Sequence, residues 1–428
     1  MKSMNLSTRR CQVVPDYNRG IVFGLDISKD TITYRACRPD AASDAFTVNQ
    51  DMAGFRKIEA AMRQWQAEDH DVWAGYEPTG PYSSCILEFL VERGYKVVQV
   101  NPKHTSKFND IRDNAPGKDD GRDPFGMTGL IWQGCYRTPV HLTGVYAELR
   151  ASSAEWAMLT VDGGRLRNQI HGLMRMWNPE MSLVFKNVLC KSSRALVRAY
   201  SSPEAMAQAN VRSIRSILAK ASVGRTKGRA KLVKDVMSQA TGLVSGQKAR
   251  HRSIINLLAR LELVEEQKRD LASRMQKSLS MLDESGLLLS VKGIGVITTA
   301  IVLGECGDIA GYDCRQLEKL IGLNICERSS GLNKGTRKIS KCGRANVRYA
   351  LCVAATRMTG KNGIYHDVAA KMRLEGKKFG QIRIAVARKL LRLLHALAST
   401  GKSFDTGRFV ARRTTADDQK AHQDRRAA

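Results

Sequence analysis

Short apolar segments alternate with amphipathic helical patterns in the first third of the chain. Residues 21–25 are apolar or glycine and lead directly to Asp26, which is typical of a buried strand. The same criteria predict further elements, with strands at 31–37, 71–76 and 95–100 and helices at 54–68 and 82–93. Because strands alternate with helices, we predict a mixed α/β sheet covered by helices at residues 20–140.

Helical periodicity replaces the strand signals in the middle of the chain. From Ile254 to Leu282, apolar residues recur every three, four or seven positions, which predicts a long, coiled-coil-like helix. We therefore predict a helical middle region at 141–284. A segment rich in Gly, Lys and Arg at 224–231 indicates a break or an exposed basic loop within it.

The region at 285–400 is also mainly helical in its pattern. Gly293 and Gly295 separate two apolar helical segments, which is the pattern of a helix–hairpin–helix. In that motif, the glycine turn and the following helix N-terminus expose backbone N–H groups to a phosphate. A tight turn between two helices also needs glycine, so the pair is not specific for phosphate binding.

The charge balance adds a partner to this picture. The 428 residues contain 69 Lys+Arg against 41 Asp+Glu, a net charge of +28 that favours a polyanionic partner such as nucleic acid. No apolar run approaches the roughly 20 residues of a membrane-spanning helix, and the first twenty residues lack a signal-peptide core. We expect a cytoplasmic protein without membrane contact, with a flexible basic tail at 1–19 and a disordered tail at 401–428.

Four carboxylates follow strand or turn signals in the N-terminal region. Asp26 and Glu77 each end a predicted strand, and Asp120 and Asp123 lie in an acidic turn with the spacing of one helical turn. Singly, each acid is a common turn residue or helix cap. Together they repel one another unless cations neutralise them, and two Mg²⁺ ions about 4 Å apart would do so and assist attack on a phosphodiester.

A serine and a cluster of cations mark the C-terminal region. Ser329 and Ser330 precede Gly331, and the residues from 327 to 348 include seven Lys or Arg: Arg328, Lys334, Arg337, Lys338, Lys341, Arg344 and Arg348. From the residues alone, an exposed serine in a phosphate-binding loop is favoured over a nucleophile. Serine needs activation to attack, and no His lies nearby in the sequence.

Two sets of motifs resemble one family, the DEDD insertion-sequence transposases. The N-terminal motifs read GLDISKD, YEPTGPY and GKDDGRD, and they match the family at Asp26, Glu77, Asp120 and Asp123. The resemblance implies a fold similar to the RuvC resolvase, which is RNase H-like, with Mg²⁺ or Mn²⁺ at these acids. Pro124 stands where the family usually has Ala, so Asp119 is a rival for Asp120.

The C-terminal motifs read LSVKGIG, GLN, SSG and GTRKISKCGRANVRYAL. In them, Lys292 stands where the family often has Pro. The resemblance implies that Ser330, with Ser329 as runner-up, is a nucleophile on DNA and forms a composite site with the carboxylates. We predict nucleic-acid contacts at the cluster above and at the glycine turn, through Lys292, Gly293, Gly295, Arg328, Lys334, Arg337, Lys338, Lys341, Arg344 and Arg348.

The resulting hypothesis is a transposase that cuts and rejoins DNA with a Mg²⁺-dependent acidic site and a serine. The alternatives are a hydrolytic RuvC-like nuclease, a DNA invertase of the same family and a noncatalytic nucleic-acid-binding protein. The resemblance also implies a structured guide RNA and a homo-oligomer as partners. For the helical middle region, a spacer, direct DNA contact and self-association all stay open.

Overall fold

The computed structural model describes residues 13–113, 122–221, 227–327, 335, 337–407 and 409. For residues 109, 110, 112, 113, 122, 123 and 227 only the backbone is described. The chain separates into two compact units, Met1–His141 and Leu142–Ala428. The predicted division into five segments is finer than this separation and stays a prediction.

The first unit is a five-stranded sheet with helices. Its strands are β1 (Gly20–Ile27), β2 (Thr31–Cys37), β3 (Phe46–Asn49), β4 (Asp71–Tyr76) and β5 (Lys96–Gln99). Its helices are α1 (Met52–Ala67), α2 (Ser84–Glu92), which a 3₁₀ turn at Gly80–Ser83 precedes, α3 (Pro102–Asp113) and α4 (Arg122–Trp132). The strand order is β3-β2-β1-β4-β5. β1, β2 and β3 pair antiparallel, whereas β4 and β5 run parallel to β1.

Both faces of the sheet are apolar, which explains the continuous apolar run of β1. Its odd-numbered residues, such as Phe23 and Leu25, join a core with α1 and α2. Val22, from the other face, joins a second core with Met127 and Ile131 of α4. The predicted strands at 31–37 and 71–76 are confirmed at their bounds, because burial on both faces selected β-branched and aromatic residues there.

The second unit contains mostly helices. They are α5 (Gly144–Trp177), α6 (Met181–Val184), α7 (Lys191–Ala199), α8 (Pro203–Gln208), α9 (Val211–Ala221), α10 (Lys227–Met237), α11 (Gln247–Leu279), α12 (Asp283–Leu289), α13 (Val296–Cys306), α14 (Cys314–Ile321), α15 (Ala345–Met358), α16 (His366–Leu374) and α17 (Phe379–Thr400). A 3₁₀ turn spans Ile309–Gly311, and two short strands, β6 (Ile325–Cys326) and β7 (Lys338–Ile339), pair antiparallel.

Two long helices, α5 and α11, pack along each other and connect two cores. One core joins their ends near Trp177 and Ile254 to the short helices α6–α10. The other joins Leu149 and Leu279 to α12–α17. The predicted long helix is confirmed, although it ends at Leu279 rather than Leu282. The predicted basic loop at 224–231 is wrong in part, because α10 begins at Lys227.

The end of the described chain packs against the core of the second unit. Phe404 and Phe409 contact each other and the core built from α12–α17. The Phe404 backbone N–H also donates to Ser290 Oγ at 2.8 Å. The predicted disordered tail at 401–428 is therefore wrong at its start, because these aromatic side chains pack against the core, and residues 410–428 lie outside the described chain. Within the part described, no helix is both long and apolar enough to cross a membrane.

Candidate active site

Asp26 and Glu77 lie at the carboxyl ends of two neighbouring parallel strands. Leu25 of β1 is paired in register with Tyr76 of β4, so the next residues on the two strands are the two acids. Leu25 and Tyr76 point into the α1–α2 core. Because side chains alternate along a strand, Asp26 and Glu77 belong to the opposite face. Both acids are half-buried, and the register brings them to one edge of the sheet.

Two glycines on that face allow helix α4 to lie directly on the strands. Gly24 and Gly75 are register partners and stand two residues before the two acids. A Cβ on Gly24 would overlap the Pro124 carbonyl oxygen, and a Cβ on Gly75 would overlap Ile131 Cδ1. Each acid therefore follows the same pattern of glycine, one apolar residue and carboxylate. That repeated pattern is the sequence signal that could have identified the two glycines.

The direction of α4 places its first turn at the acidic edge. Trp132, at the end of α4, lies 2.6 Å from where a Cβ on Gly20 would stand, whereas Pro124 covers Gly24. The helix thus runs antiparallel to β1. Pro124 lies in the first turn of α4, which begins at Arg122, and proline is tolerated there because that N–H has no partner within the helix. Asp123 belongs to that turn rather than preceding it as a cap.

The remaining acids of the predicted quartet cannot be assigned in the same way. Asp119 and Asp120 lie outside the described residues, and only the backbone of Asp123 is described. Among the side chains that are described, no three His, Cys, Asp or Glu converge as metal ligands. The fold therefore brings Asp26, Glu77 and the first turn of α4 to one edge, and the four-acid metal site stays a prediction.

Arg35 is a cation that the sequence analysis missed at this face. It lies on β2 as the register partner of Gly24, while Thr33 is the partner of Asp26. Residues diagonal to each other on neighbouring strands are about 7–8 Å apart, so Arg35 is within reach of the acidic edge. Its Nε is buried and forms no hydrogen bond within the described structure. A guanidinium here can offset part of the repulsion between the acids.

The predicted nucleophile lies between two paired segments of the second unit. Ser329 and Ser330 are outside the described residues, but the chain departs at Cys326 and returns at Lys338, which are register partners. The Lys341 N–H donates to the Gly322 carbonyl at 3.1 Å, and Ser340 bonds Asn324 through both its backbone and its side chain. The residues on either side of the serine-bearing segment are therefore hydrogen-bonded to each other. We call these paired residues, 322–326 and 338–343, the base of the segment.

Positive-φ residues shape this base. Gly322 and Gly343 have φ of +74° and +126°, and a Cβ on Gly343 would overlap the Leu320 carbonyl oxygen. Lys341 adopts the left-handed region as well, at +56°, where a residue with a Cβ is uncommon. The backbone approaches itself so closely here that the two glycines of the GLN and KCG motifs are structural requirements.

Three of the predicted DNA-binding cations already have partners within the chain. Arg337 bonds Glu327 at 2.8 Å, and Arg348 Nη1 donates to the Ile321 carbonyl at 2.8 Å. Arg344 Nη1 lies 3.8 Å from Glu305 Oε2. Lys338 and Lys341 are exposed, whereas Arg328 and Lys334 lie outside the described residues. Arg344 and Arg348 therefore brace the base, and a DNA contact by either stays a prediction.

Two buried glutamates, which the sequence analysis missed, connect this base to the helical core. Glu305 accepts hydrogen bonds from Ser153 Oγ at 3.1 Å and from Asn346 Nδ2 at 3.0 Å. Glu318 is 5% exposed and accepts from Arg388 and Arg392 of α17, at 2.7 and 2.8 Å. A carboxylate within an apolar helical pattern was the available signal for such pairing.

The predicted helix–hairpin–helix consists of α12, a turn and α13. Gly293 has φ of +101°, which explains the glycine, and Gly295 precedes α13 with no side-chain cap. Lys292 and both glycines are exposed, whereas Ile294 is buried in the core. The backbone N–H groups at the start of α13 thus adjoin an exposed turn. Phosphate binding there stays a prediction.

The sequence comparisons connect these two regions to one class of protein. Residues 23–179 match a family described as a DEDD transposase, and residues 285–367 match the Transposase IS116/IS110/IS902 family. The class is thus that of insertion-element transposases. The chain belongs to the IS110/IS116 family of DEDD-class transposases.

Proteins of insertion elements are among the relatives of this chain. The 44.8 kDa protein of insertion element IS116 from Streptomyces clavuligerus is 22% identical, over 83% of this chain and 88% of its own length. The 43.6 kDa protein of IS110 from Streptomyces coelicolor is 23% identical, over 58% of this chain and 62% of its own length. The two family matches, at 23–179 and 285–367, include the acidic edge and the serine-bearing region.

Proposed function

We propose that this transposase cuts and rejoins DNA by transesterification, with an acidic divalent-metal site and a serine nucleophile. The metal ligands in this proposal are Asp26, Glu77, Asp120 and Asp123, and the nucleophile is Ser330. The observation that carries it is the pair of half-buried acids at the ends of two register-matched parallel strands. The strand order β3-β2-β1-β4-β5 with its orientations supports the RNase H-like assignment.

The donor set fits a hard divalent cation. Carboxylate oxygens are the ligands that Mg²⁺ and Mn²⁺ favour, and the packing of Pro124 on Gly24 brings the start of α4 to the same edge as Asp26. Such an ion would supply charge stabilisation at a phosphate and lower the pKa of a bound hydroxyl. Within the chain, Arg35 is positioned to limit repulsion between the acids before DNA binds.

In the proposed step, the Ser330 oxygen forms a bond to phosphorus while the bond from phosphorus to one strand oxygen breaks. The serine proton passes through a carboxylate base to the released strand oxygen, so the charges balance. The reverse step rejoins a strand without ATP, because the phosphoserine link conserves the energy of the broken bond. A hydrolytic nuclease would release that energy to water.

Covalent trapping tests this proposal. Wild-type protein incubated with labelled ends of its element should give a protease-sensitive protein–DNA band in a denaturing gel. Ser330→Ala should lack the band, and Ser329→Ala should keep it. The opposite pattern would identify Ser329 as the nucleophile. If wild type cuts DNA and is never linked to it, water is the nucleophile and the hydrolytic alternative replaces ours.

The partners implied by the family resemblance belong to the same proposal. We expect a structured RNA from beside the gene and a homo-oligomer to take part in recombination. Sequencing of RNA that co-purifies with the protein would test the first, because a random set of transcripts together with full activity after nuclease treatment contradicts it. Mass photometry of the purified protein would test the second.

A further inference from the structure

A strongly basic part of the molecule lies outside the predicted active-site segments. The chain between the two long helices, residues 181–237, contains 12 Lys or Arg and only two acids, Glu204 and Asp235. It folds into α6–α10, and we call it the insert. Apolar residues of the insert, such as Phe185, Leu196 and Met206, share a core with α5 and α11. It is therefore a packed module rather than an extended basic linker.

The cations of the insert fall into two groups according to their partners. The two arginines of α7 face α11 and form ion pairs there: Arg194 with Glu265 at 2.8 Å and Arg198 with Glu262 at 2.5 Å. The cations of α9 and α10 form no ion pair within the described residues. They are Arg212, Arg215, Lys220, Arg229, Lys231 and Lys234. The first group fixes the insert to α11, and the second is left without a carboxylate partner among the described residues.

Helix α9 presents a face suited to a phosphate backbone. Ile214 and Leu218 are buried, whereas Arg212, Arg215 and Lys220 are exposed. The exposed positions between these cations are Ser213, Ser216 and Ala219, which are small and uncharged. Small residues allow close approach, and serine hydroxyls can donate to phosphate oxygens together with Arg and Lys. No side chain on this face is acidic.

Helix α10 extends the same surface, because α9 and α10 pack against each other. Its core residues are Ala230, Val233 and Met237, and Arg229 and Lys231 are exposed. Arg229 also lies over the Phe185 ring, 5.9 Å from its centroid, which limits its freedom. Asp235 is the single acid of the two helices.

We propose that the outward face of α9 and α10 binds the phosphate backbone of duplex DNA without reading sequence. The proposal rests on the proposed function, which makes DNA the substrate, and it assigns the insert a second contact outside the acidic edge and the serine region. The exposed side chains of this face are mainly cations, with few other hydrogen-bonding groups that could read base edges. This composition favours contact with the phosphate backbone. This selects direct DNA contact among the three roles left open for the middle region.

The test measures binding apart from cleavage, in full-length protein that carries Asp26→Asn. Binding to a 40-bp duplex of arbitrary sequence is followed by fluorescence anisotropy from 50 to 200 mM KCl. The Asp26→Asn protein with an unaltered insert should lose roughly a thousandfold in DNA affinity over that range if it neutralises six or more phosphates. With Arg212→Gln, Arg215→Gln and Lys231→Gln added, the log–log slope should fall by about 2–3, close to one for each cation removed.

A control with the same change in net charge makes the result specific. Lys361→Gln, Arg373→Gln and Lys377→Gln remove three exposed cations elsewhere in the second unit and should leave the slope within about 0.5 of the parent. Equal slopes for the two triple variants would overturn the proposal, since net charge alone would then explain binding. Circular dichroism with an unchanged melting temperature verifies that the insert is folded.

Two further readouts separate the sources of a failure. If the insert variant loses affinity for a structured RNA and keeps its affinity for the duplex, the surface binds RNA and our proposal is wrong. With Asp26 restored, the insert variant should cleave DNA at the wild-type rate when DNA is saturating. The DNA concentration needed for half of that rate should be at least about tenfold higher than for wild type. Absence of cleavage in wild type would contradict the proposed function and leave the binding result intact.

Discussion

The two units differ in charge as completely as they differ in fold. Met1–His141 contains 18 Lys or Arg and 18 Asp or Glu, whereas Leu142–Ala428 contains 51 and 23, so the second unit carries the entire net charge of +28. Acidic side chains repel the phosphates of DNA, so a strongly acidic unit would bind DNA poorly. In a neutral unit the acids can be concentrated at one sheet edge, while electrostatic attraction comes from the other unit.

This comparison also separates two uses of arginine. In the second unit, Arg194, Arg388 and Arg392 pair with glutamates and fix helices, whereas the arginines of α9 form no such pair among the described residues. Net charge therefore overstates the number of cations available to DNA. Which ones are available depends on the partners that the fold provides.

The largest expected effect tests the chemical role of the neutral unit. Asp26→Asn or Glu77→Gln should reduce strand cleavage in Mg²⁺ or Mn²⁺ by more than about a hundredfold. Loss of a residue that only hydrogen-bonds to a metal ligand costs up to about that much, and loss of a ligand itself should cost more. Affinity for DNA should change less than twofold, because binding depends on the second unit. Gel assays of cleavage and anisotropy of binding measure the two quantities.

Asp30→Asn is the matched control for these changes, since Asp30 is an exposed acid of the same unit beyond the end of β1. It should cleave like wild type. Normal cleavage by Asp26→Asn would remove the acidic edge from the mechanism. A large loss of DNA affinity would show instead that the first unit also binds, which would break the proposed division of roles.

A smaller effect is expected from the glycine under α4. Gly24→Ala places a methyl group against the Pro124 carbonyl, so α4 must move or the strand must bend. This should lower the free energy of unfolding by about 1–3 kcal/mol. Because α4 begins at the acidic edge, the concentration of Mn²⁺ needed for half-maximal cleavage should rise as well. Denaturant unfolding and a metal titration measure these outcomes.

Gly164→Ala offers the comparison for that change. Gly164 lies within α5, and no atom lies within 4 Å of where its Cβ would stand, so the substitution should stabilise the helix by up to about 1 kcal/mol. It should leave the metal titration unchanged. If Gly24→Ala shifts stability but not the metal titration, the packing of α4 does not position the site.

The smallest expected effect concerns an ion pair that fixes the insert. Hydrogen bonds from Arg194 lower the pKa of Glu265, with burial opposing the shift and the charge of Arg167 adding to it. A carboxyl whose pKa is lowered on folding stabilises the protein above its ordinary pKa and loses that contribution as the pH falls through the lowered value. Glu265→Gln should therefore cost about 1 kcal/mol at pH 7, since the pair is partly exposed, and less below pH 4.

Chemical unfolding at pH 7 and at pH 3.5 would measure this difference. Glu266→Gln is the control, because Glu266 is the exposed neighbour on α11 and forms no ion pair among the described residues, so its loss at pH 7 should be much smaller. A cost for Glu265→Gln that is equal at both pH values would mean that its charge does not stabilise the insert.

The sequence by itself determined the elements whose pattern is local. Strands β2 and β4 and the long helices α11 and α17 were predictable because one turn or one strand pair sets the spacing of their apolar residues. The family also followed from short motifs, and the same motifs predict the acidic quartet and the serine. The helices α6–α10 were not predicted, since each is short and its burial depends on α5 and α11.

Tertiary structure alone decided which residues meet. The match of Gly24 with Gly75 requires β4 to pair with β1 across some fifty residues, and no local period encodes that register. The pairing of Arg388 and Arg392 with Glu318 likewise joins residues about seventy positions apart. Side chains a few positions apart interact through fixed backbone geometry, whereas distant ones meet only after the whole chain has packed, so their partners and their availability to DNA are properties of the fold.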